Sequence, residues 1–348
     1  MSDRLAILAA LGAALLFGAS TPFAKLLSID ISPTMLAGLL YLGSGIGLWA
    51  VRLVRDRGVA SPHLRPAEWA WLIGAIAVGG VLGPMLLMFG LTRITGAAAS
   101  LLLNLEAVLT ALLAWVVFRE NADRRIVLGM GLIVAGGVVL AWSARGSAGG
   151  ATSGALAVAA ACLCWAIDNN LTRKVSGSDA LFIAGSKGLL AGTTNLLLAL
   201  LFGASLPNGA TTVAAMVIGL LGYGVSLVLF VVALRGLGAA RTGAYFSTAP
   251  FIGAAIAIAA FHEPTSLAFW AAVALMAAGV WLHLTERHEH KHTHDELVHT
   301  HSHGHDVHHQ HAHAFAWDGR EPHTHEHRHE PLTHSHPHYP DIHHQHGH

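Results

Sequence analysis

The stretch LTRITGAAASLLLNLEAVLTALLAWVVFRE, residues 91–120, returns as LRGLGAARTGAYFSTAPFIGAAIAIAAFHE at 234–263. A shift of 143 residues sets Leu91 on Leu234, Ala97 on Ala240, Phe118 on Phe261 and Glu120 on Glu263. Working outward, FGASTPFAK (17–25) heads the first copy as WAIDNNLTRK (165–174) heads the second, with Lys25 near the level of Arg173. The Gly- and Ser-rich segment ARGSAGGATS (144–153) joins the two. The chain therefore reads as a duplicated unit, 1–143 and 154–285, with a different kind of segment, 286–348, appended.

The duplicated part is built for lipid. Of 348 residues 53% are hydrophobic and 11% charged, against about a quarter charged in ordinary soluble domains. Ten apolar stretches recur, at about 5–26, 34–54, 69–91, 95–118, 125–143, 154–173, 180–202, 212–234, 239–261 and 267–284. Each is near the length of helix that crosses a hydrocarbon core of about 30 Å, and none alternates as a barrel strand would. Arg4 and the small residues of FGAS mimic a cleaved leader, but the segment has a counterpart at 165–174, which argues for a retained span. Five spans per copy is an odd number, so the second copy enters the membrane from the opposite side.

Loop charge supplies the orientation. With the N-terminus inside, the cytoplasmic connections carry Arg52, Arg55, Arg57, Arg65, Arg119, Arg124, Arg125, Arg173, Lys174, Arg235 and Arg241. The opposite connections carry Lys25, Arg93 and Arg145. The bias places both termini in the cytoplasm and the protein in the inner (plasma) membrane as a multi-pass chain. Frequent glycines, as in LGSGIGLW and GMGLIVAGG, suit close helix packing. Cys162 and Cys164, at i,i+2 on one helix, point to different faces and are unsuited to a bridge.

FGASTPFAK, AASLLLNLEAVLTALLAWVVFRE and GAYFSTAPFIGAAIAIAAFHE, the last two each followed by a Gly- and Ala-rich span, resemble the EamA-type branch of the drug/metabolite transporter superfamily. The resemblance covers about residues 5–285. It implies an all-α integral membrane fold, ten transmembrane helices in two inverted five-helix repeats, a central cavity and alternating access. It leaves the cargo open among amino acids, other metabolites and toxic compounds. The family often has a proline where this chain has Glu106-Ala107, while the second copy keeps Ala249-Pro250; a straighter fourth helix is expected.

Ionisable groups in lipid need a partner or an aqueous face. Glu106, near the middle of the fourth span, could take a coupling proton, meet a substrate amine, or be a protonated structural carboxyl. Asp168 and Lys187, on either side of the hairpin VSGSD, lie at similar depth and can pair or face a solute. Asn169 and Asn170 add donors and acceptors on the same helix as Asp168. Lys25 is expected to snorkel to the outer interface, Glu120 and Glu263 to serve as helix-end groups, and Met85 and Met88 to pack in the core rather than join Cys164 on a metal.

The tail is another kind of chain. Residues 1–285 carry 16 Lys/Arg and 10 Asp/Glu, residues 286–348 carry 4 and 10, and 23 of the 26 histidines lie between His288 and His348. In HEHKHTH, HTHSHGH, HTHEHRH and HSHPH, histidine recurs at i, i+2, i+4. An extended chain places such residues on one side, where neutral imidazoles converge on an ion. The candidate ligands are His288, His290, His292, His294, His299, His301, His303, His305, His323, His325, His327, His329, His334, His336 and His338. Imidazole accepts Zn²⁺, Ni²⁺, Co²⁺ and Cu²⁺ alike, and low apolar content predicts disorder before metal arrives.

These readings converge on a carrier of a small solute, not an enzyme, with a cytoplasmic metal-binding tail and no required cofactor. Its expected partners are the lipid bilayer, the solute and a divalent transition metal at the tail, with no nucleic acid and a homodimer left open. Two alternatives stand beside it: a transition-metal (Ni, Co or Zn) transporter, and a membrane metal sensor.

Overall fold

The computed structural model describes residues 3–58, 64, 66–118, 124–143, 150–175 and 179–284, with tail segments 289–294, 297–303, 323–329 and 332–337. Residues up to Thr285 and the tail from Glu286 onward are separate compact units.

The first unit is all helix. The first repeat comprises α1 (Asp3–Leu27), α2 (Pro33–Asp56), and a third span in which α3 (Pro66–Ala75) passes through a π segment (Ile76–Leu82) into α4 (Gly83–Leu91). α5 (Gly96–Leu102) and α6 (Asn104–Phe118) make the fourth span, and α7 (Arg124–Ser143) the fifth. The second repeat comprises α8 (Ala151–Arg173), α9 (Ala180–Leu201), and α10 (Gly209–Gly219), which passes through a second π segment (Leu220–Val225) into α11 (Ser226–Phe246). α12 (Ala249–Phe261) and α13 (Leu267–Leu284) complete it. Eight of these spans are long and apolar enough to cross a bilayer, and α12 and α13 are shorter apolar helices. Leu8, Val54, Ile73, Val138, Leu201 and Leu267 keep large apolar side chains on the outside, where lipid is the solvent.

Packing confirms the inverted repeat. α1 lies against α11 and α12 as α8 lies against α4 and α6, and α2 meets α9, its own counterpart, as α7 meets α13. Each of these cross-repeat contacts thus has a mate or is its own. Shifted by 143 residues, the π segment at 76–82 falls on 219–225, so the departure from α geometry is itself duplicated. The α2–α9 crossing depends on glycine: a Cβ at Gly38, Gly45, Gly188 or Gly192 would strike the facing backbone. Such close approach substitutes for a hydrophobic drive that lipid does not provide.

Two expectations about the helices are corrected. The connection expected at 235–238 is helical, inside α11. The fourth helix is not straight either: it breaks at Leu103, between α5 and α6. No proline is needed, because Asn104 Nδ2 donates to Leu101 O at 2.9 Å and occupies a carbonyl of the helical ladder. The second repeat breaks at the matching place, Ser247–Thr248, with Pro250 in the first turn of α12.

In the tail the described backbone forms four short strands, where the sequence predicts no fixed structure before metal. β1 (Glu289–His294) pairs antiparallel with β4 (Leu332–Pro337), and β2 (Leu297–His303) with β3 (His323–His329). A period-two alternation of His with Thr, Ser or charge is compatible with this pairing.

Candidate functional site

A cavity of about 810 Å³ lies between the repeats. It is lined by the broken fourth span (Leu103, Asn104, Glu106, Ala107, Thr110), by α8 (Trp165, Asn169, Asn170) and by the second π segment and α11 (Gly222, Tyr223, Ser226, Phe230, Phe246). Phe17, Tyr41 and Pro250 add walls from α1, α2 and α12. The lining runs from mid-bundle toward the face where α1 begins and α13 ends, here called the terminal face.

Glu106 is in the first turn of α6, immediately after the Leu103 break, with its backbone N–H on Leu103 O at 3.1 Å. Asn169 Nδ2 donates to its Oε1 at 3.0 Å, and Thr110 Oγ1 lies 3.4 Å from the same amide nitrogen. Of the sequence candidates, Glu106, Asn169 and Asn170 border the cavity. Asn170 Nδ2 is turned back onto Ala166 O at 2.8 Å, so its carbonyl oxygen is the group left for a solute.

Asp168 and Lys187 are brought together, but not on the cavity. Lys187 Nζ donates to both oxygens of Asp168 at 2.6 Å, and Thr172 Oγ1 donates to Asp168 Oδ1 at 2.8 Å. Both ends of the pair are largely buried. A closed pair of this kind costs desolvation that its mutual attraction largely offsets, and it neutralises itself behind the α8 wall.

Several cavity features lay outside the sequence reading. Asn104 both breaks the helix and lines the space; its one signal was an amide in an apolar run. The aromatic wall is five rings from four separate elements: Phe17 meets Tyr223 at 6.0 Å and Phe246 at 5.3 Å, Tyr41 meets Tyr223 at 5.5 Å, and Phe230 meets Phe246 at 4.9 Å. Trp165 Nε1 donates to Gly79 O at 2.9 Å, Tyr41 to the same carbonyl at 3.4 Å, and Asn195 Nδ2 to Gly80 O at 3.3 Å. The first π segment is thus held by side chains from three other helices. π segments leave carbonyls without ladder partners and recur at functional sites.

The face opposite the terminal one is tied shut across the repeats. Both oxygens of Glu263 accept backbone N–H groups at the start of α5, Gly96 at 2.8 Å and Ala97 at 2.7 Å. Phe23 stacks edge-on against Phe261 at 5.3 Å. Glu263 is a helix-end group, though of another repeat's helix. Lys25, in the last turn of α1 and half-buried, donates to Leu91 O at the end of α4, beside Glu263. Glu120 lies outside the described residues. On the terminal face, buried Arg52 reaches Asp56 at 3.5 Å and Asp179 at 3.4 Å. Asp179 also caps α9 through Leu181 and Phe182 N–H. Burial pushes its carboxyl up, but Arg55 and those amides outweigh it and hold the group below the usual range.

Met88 is fully buried in the core. Among the described residues no group of three His, Cys, Asp or Glu is placed to hold a metal ion. In the tail, the strand register sets His290 opposite His336, His292 opposite His334, His299 opposite His327, His301 opposite His325 and His303 opposite His323. His294 and His329 stand opposite leucines, and His288, His305 and His338 lie outside the described residues.

This architecture has relatives. An uncharacterized transporter of Methanothermobacter thermautotrophicus is 27% identical over 285 residues, covering 78% of this chain and 83% of the relative. A protein crystal structure, 23% identical, aligns with a TM-score of 0.60 over 80% of this chain and 94% of the other, and so shares the fold. The model of the EamA-like transporter family matches twice, at 4–142 and 152–285, the two repeats recognised from the internal alignment, and the chain belongs to that family.

Proposed function

We propose that the chain is an alternating-access carrier of a small organic solute, with Glu106 as its substrate- or proton-binding group. The observation that carries the reading is a single one. A carboxylate in mid-bundle faces a cavity of about 810 Å³ formed jointly by two inverted repeats. That is the place where such folds bind their cargo, and the size lies within the range of small-molecule sites. The closed far face and the lining's reach toward the terminal face fit one end state of the cycle; positive-inside charge makes the terminal face cytoplasmic.

The His-rich segment is, in this reading, a metal-binding appendage rather than part of the path. Histidines at alternate positions, ten of them set opposite one another in five pairs across the strands, give imidazole pairs for Zn²⁺, Ni²⁺, Co²⁺ or Cu²⁺. The described cavity lining instead offers one carboxylate with amides and hydroxyls and neither His nor Cys, which favours an organic cargo over a soft or borderline metal.

Glu106→Gln keeps the shape and the Asn169 contact while removing the charge. In proteoliposomes it should insert and elute as wild type does, yet carry solute at least about tenfold more slowly, since each 1.4 kcal/mol of lost binding is a factor of ten. Wild-type rate and pH profile in the variant would return Glu106 to a structural role.

A further inference from the structure

We propose that the cargo is a monovalent organic cation with an apolar, ring-sized body, and that its ammonium replaces a proton on Glu106. The inference rests on the carrier reading above and names its substrate class.

The charge count comes first. Among the described lining residues Glu106 is the charged one. Around it stand Asp168 and Lys187, which satisfy each other, and the phenols of Tyr41 and Tyr223 and the thiol of Cys162, whose ordinary pKa values keep them neutral near pH 7. Among the described residues the hydrogen-bond partner of the Glu106 carboxylate is the neutral amide of Asn169. An amide cannot cancel a charge in a low-dielectric space, so an ionised Glu106 needs a cation beside it. The candidates are a proton and a positively charged solute. An anion would be repelled, and a zwitterion would bring a carboxylate toward a lining whose described residues offer no positive group.

The walls specify the rest of the molecule. Phe17, Tyr41, Tyr223, Phe230 and Phe246 form a chain of ring contacts around the carboxylate's space. Aromatic faces attract alkylammonium groups and give flat apolar bodies offset or edge-on partners. A bare metal ion uses neither the volume nor the rings.

Proton and ammonium then compete for one site. When the cation enters, the Glu106 proton leaves to water at the open face. One positive charge replaces another, and the loaded and protonated carriers have equal charge. Cation affinity should therefore rise with pH until Glu106 is fully ionised and fall in acid.

The test uses the full chain in lipid nanodiscs and three benzyl probes: benzyltrimethylammonium, its neutral isostere neopentylbenzene, and phenylacetate as a smaller anion. Binding is followed by calorimetry at pH 8.0 and 5.5. Benzyltrimethylammonium, which cannot itself titrate, should bind at least about tenfold more tightly at pH 8.0 than at 5.5 and release up to one proton near the Glu106 midpoint. The neutral and anionic probes should bind at least about tenfold more weakly at pH 8.0. Glu106→Gln should lose the affinity and its pH dependence, while Glu106→Asp retains the pH dependence. Equal binding of the isostere or of phenylacetate, no binding of the cation, or a pH-independent affinity overturns the proposal; if Glu106→Gln does not fold, the wild-type series decides alone. Transport of some other solute in the same preparation would leave the carrier reading standing, whereas wild-type protein that carries no solute of any charge would remove both.

Discussion

In the first repeat the third helix stops at Leu91, turns through Thr92–Thr95 and restarts at Gly96; in the second, the matching residues 235–238 continue inside α11. The side chains explain the difference. Thr95 caps the new helix by accepting from Ala98 N–H at 3.2 Å, and Glu263 takes the N–H groups of Gly96 and Ala97. The residue matching Thr95 is Gly238, which has no oxygen to offer. A capped start tolerates a break, whereas an uncapped one leaves N–H groups bare in an apolar setting. Polar groups differ between the repeats in the same way. Glu106 corresponds to Ala249, and both border the cavity. A Cβ at Gly79 would strike Asp168, while one at the matching Gly222 would strike Ser20. The π segments, the break in the fourth span and the helix pairing are duplicated; the charges at the cavity and in the buried pair, Glu106 and Asp168–Lys187, are single-copy. Backbone geometry follows from a pattern of small and apolar residues that survives divergence. A buried charge needs a specific partner, and one copy is enough for a shared cavity.

The sharpest way to break this contrast is Asp168→Ala. It leaves Lys187 buried without its carboxylate and should destabilise the fold by about 3–5 kcal/mol. Lys187→Met in the same chain should recover most of the melting temperature, whereas Ser20→Ala, at the matching place, should cost little. A mild Asp168→Ala phenotype would mean that the pair is not closed. Next is Glu263→Ala, which removes two charge-assisted bonds, each worth about 1.5–3 kcal/mol. It should raise solute-protected labelling of a cavity cysteine by an impermeant thiol reagent from the far face. Unchanged labelling would make Glu263 a cap with no part in closure. Trp165→Phe keeps an aromatic ring and removes the shorter of the two hydrogen bonds to Gly79 O; about 0.5–1.5 kcal/mol should be lost, with faster amide exchange confined to the π segment at 76–82 and not its mate. Removal of residues 286–348 should have the smallest effect on the core, leaving its melting temperature and organic-solute transport unchanged. Metal binding should disappear with the tail and, in the intact chain, weaken as pH falls through about 6.5, where protons compete for imidazole.

How much of this was legible before folding varies by kind. Lys25 and the Asp168–Lys187 pair show the boundary well. Depth along a helix is readable at 1.5 Å per residue, so that Asp168 and Lys187 lie level could be read. Azimuth around the helix could not, and it is azimuth that turns Asp168 into the bundle while Asn169, one residue on, faces the cavity. Lys25 sits at the predicted depth, but a carbonyl at the end of α4 lies within its reach, and only packing places it there. Asn104 could be seen as an amide in an apolar run, without any sign that it would occupy a backbone carbonyl and break the helix that Glu106 heads.

The sequence by itself determined the number of spans, their duplication and inversion, the mid-membrane carboxylate and the separate character of the tail. Each depends on composition and periodicity along one dimension, where hydrophobic length and repeat register are directly written. Only the tertiary structure decided that Glu106 faces a cavity while Asp168 does not, that rings from four elements form one wall, and that Glu263 of one repeat closes the other. Those are relations between residues far apart in the chain. They are set by helix rotation and close approach at glycine, and no local pattern encodes them.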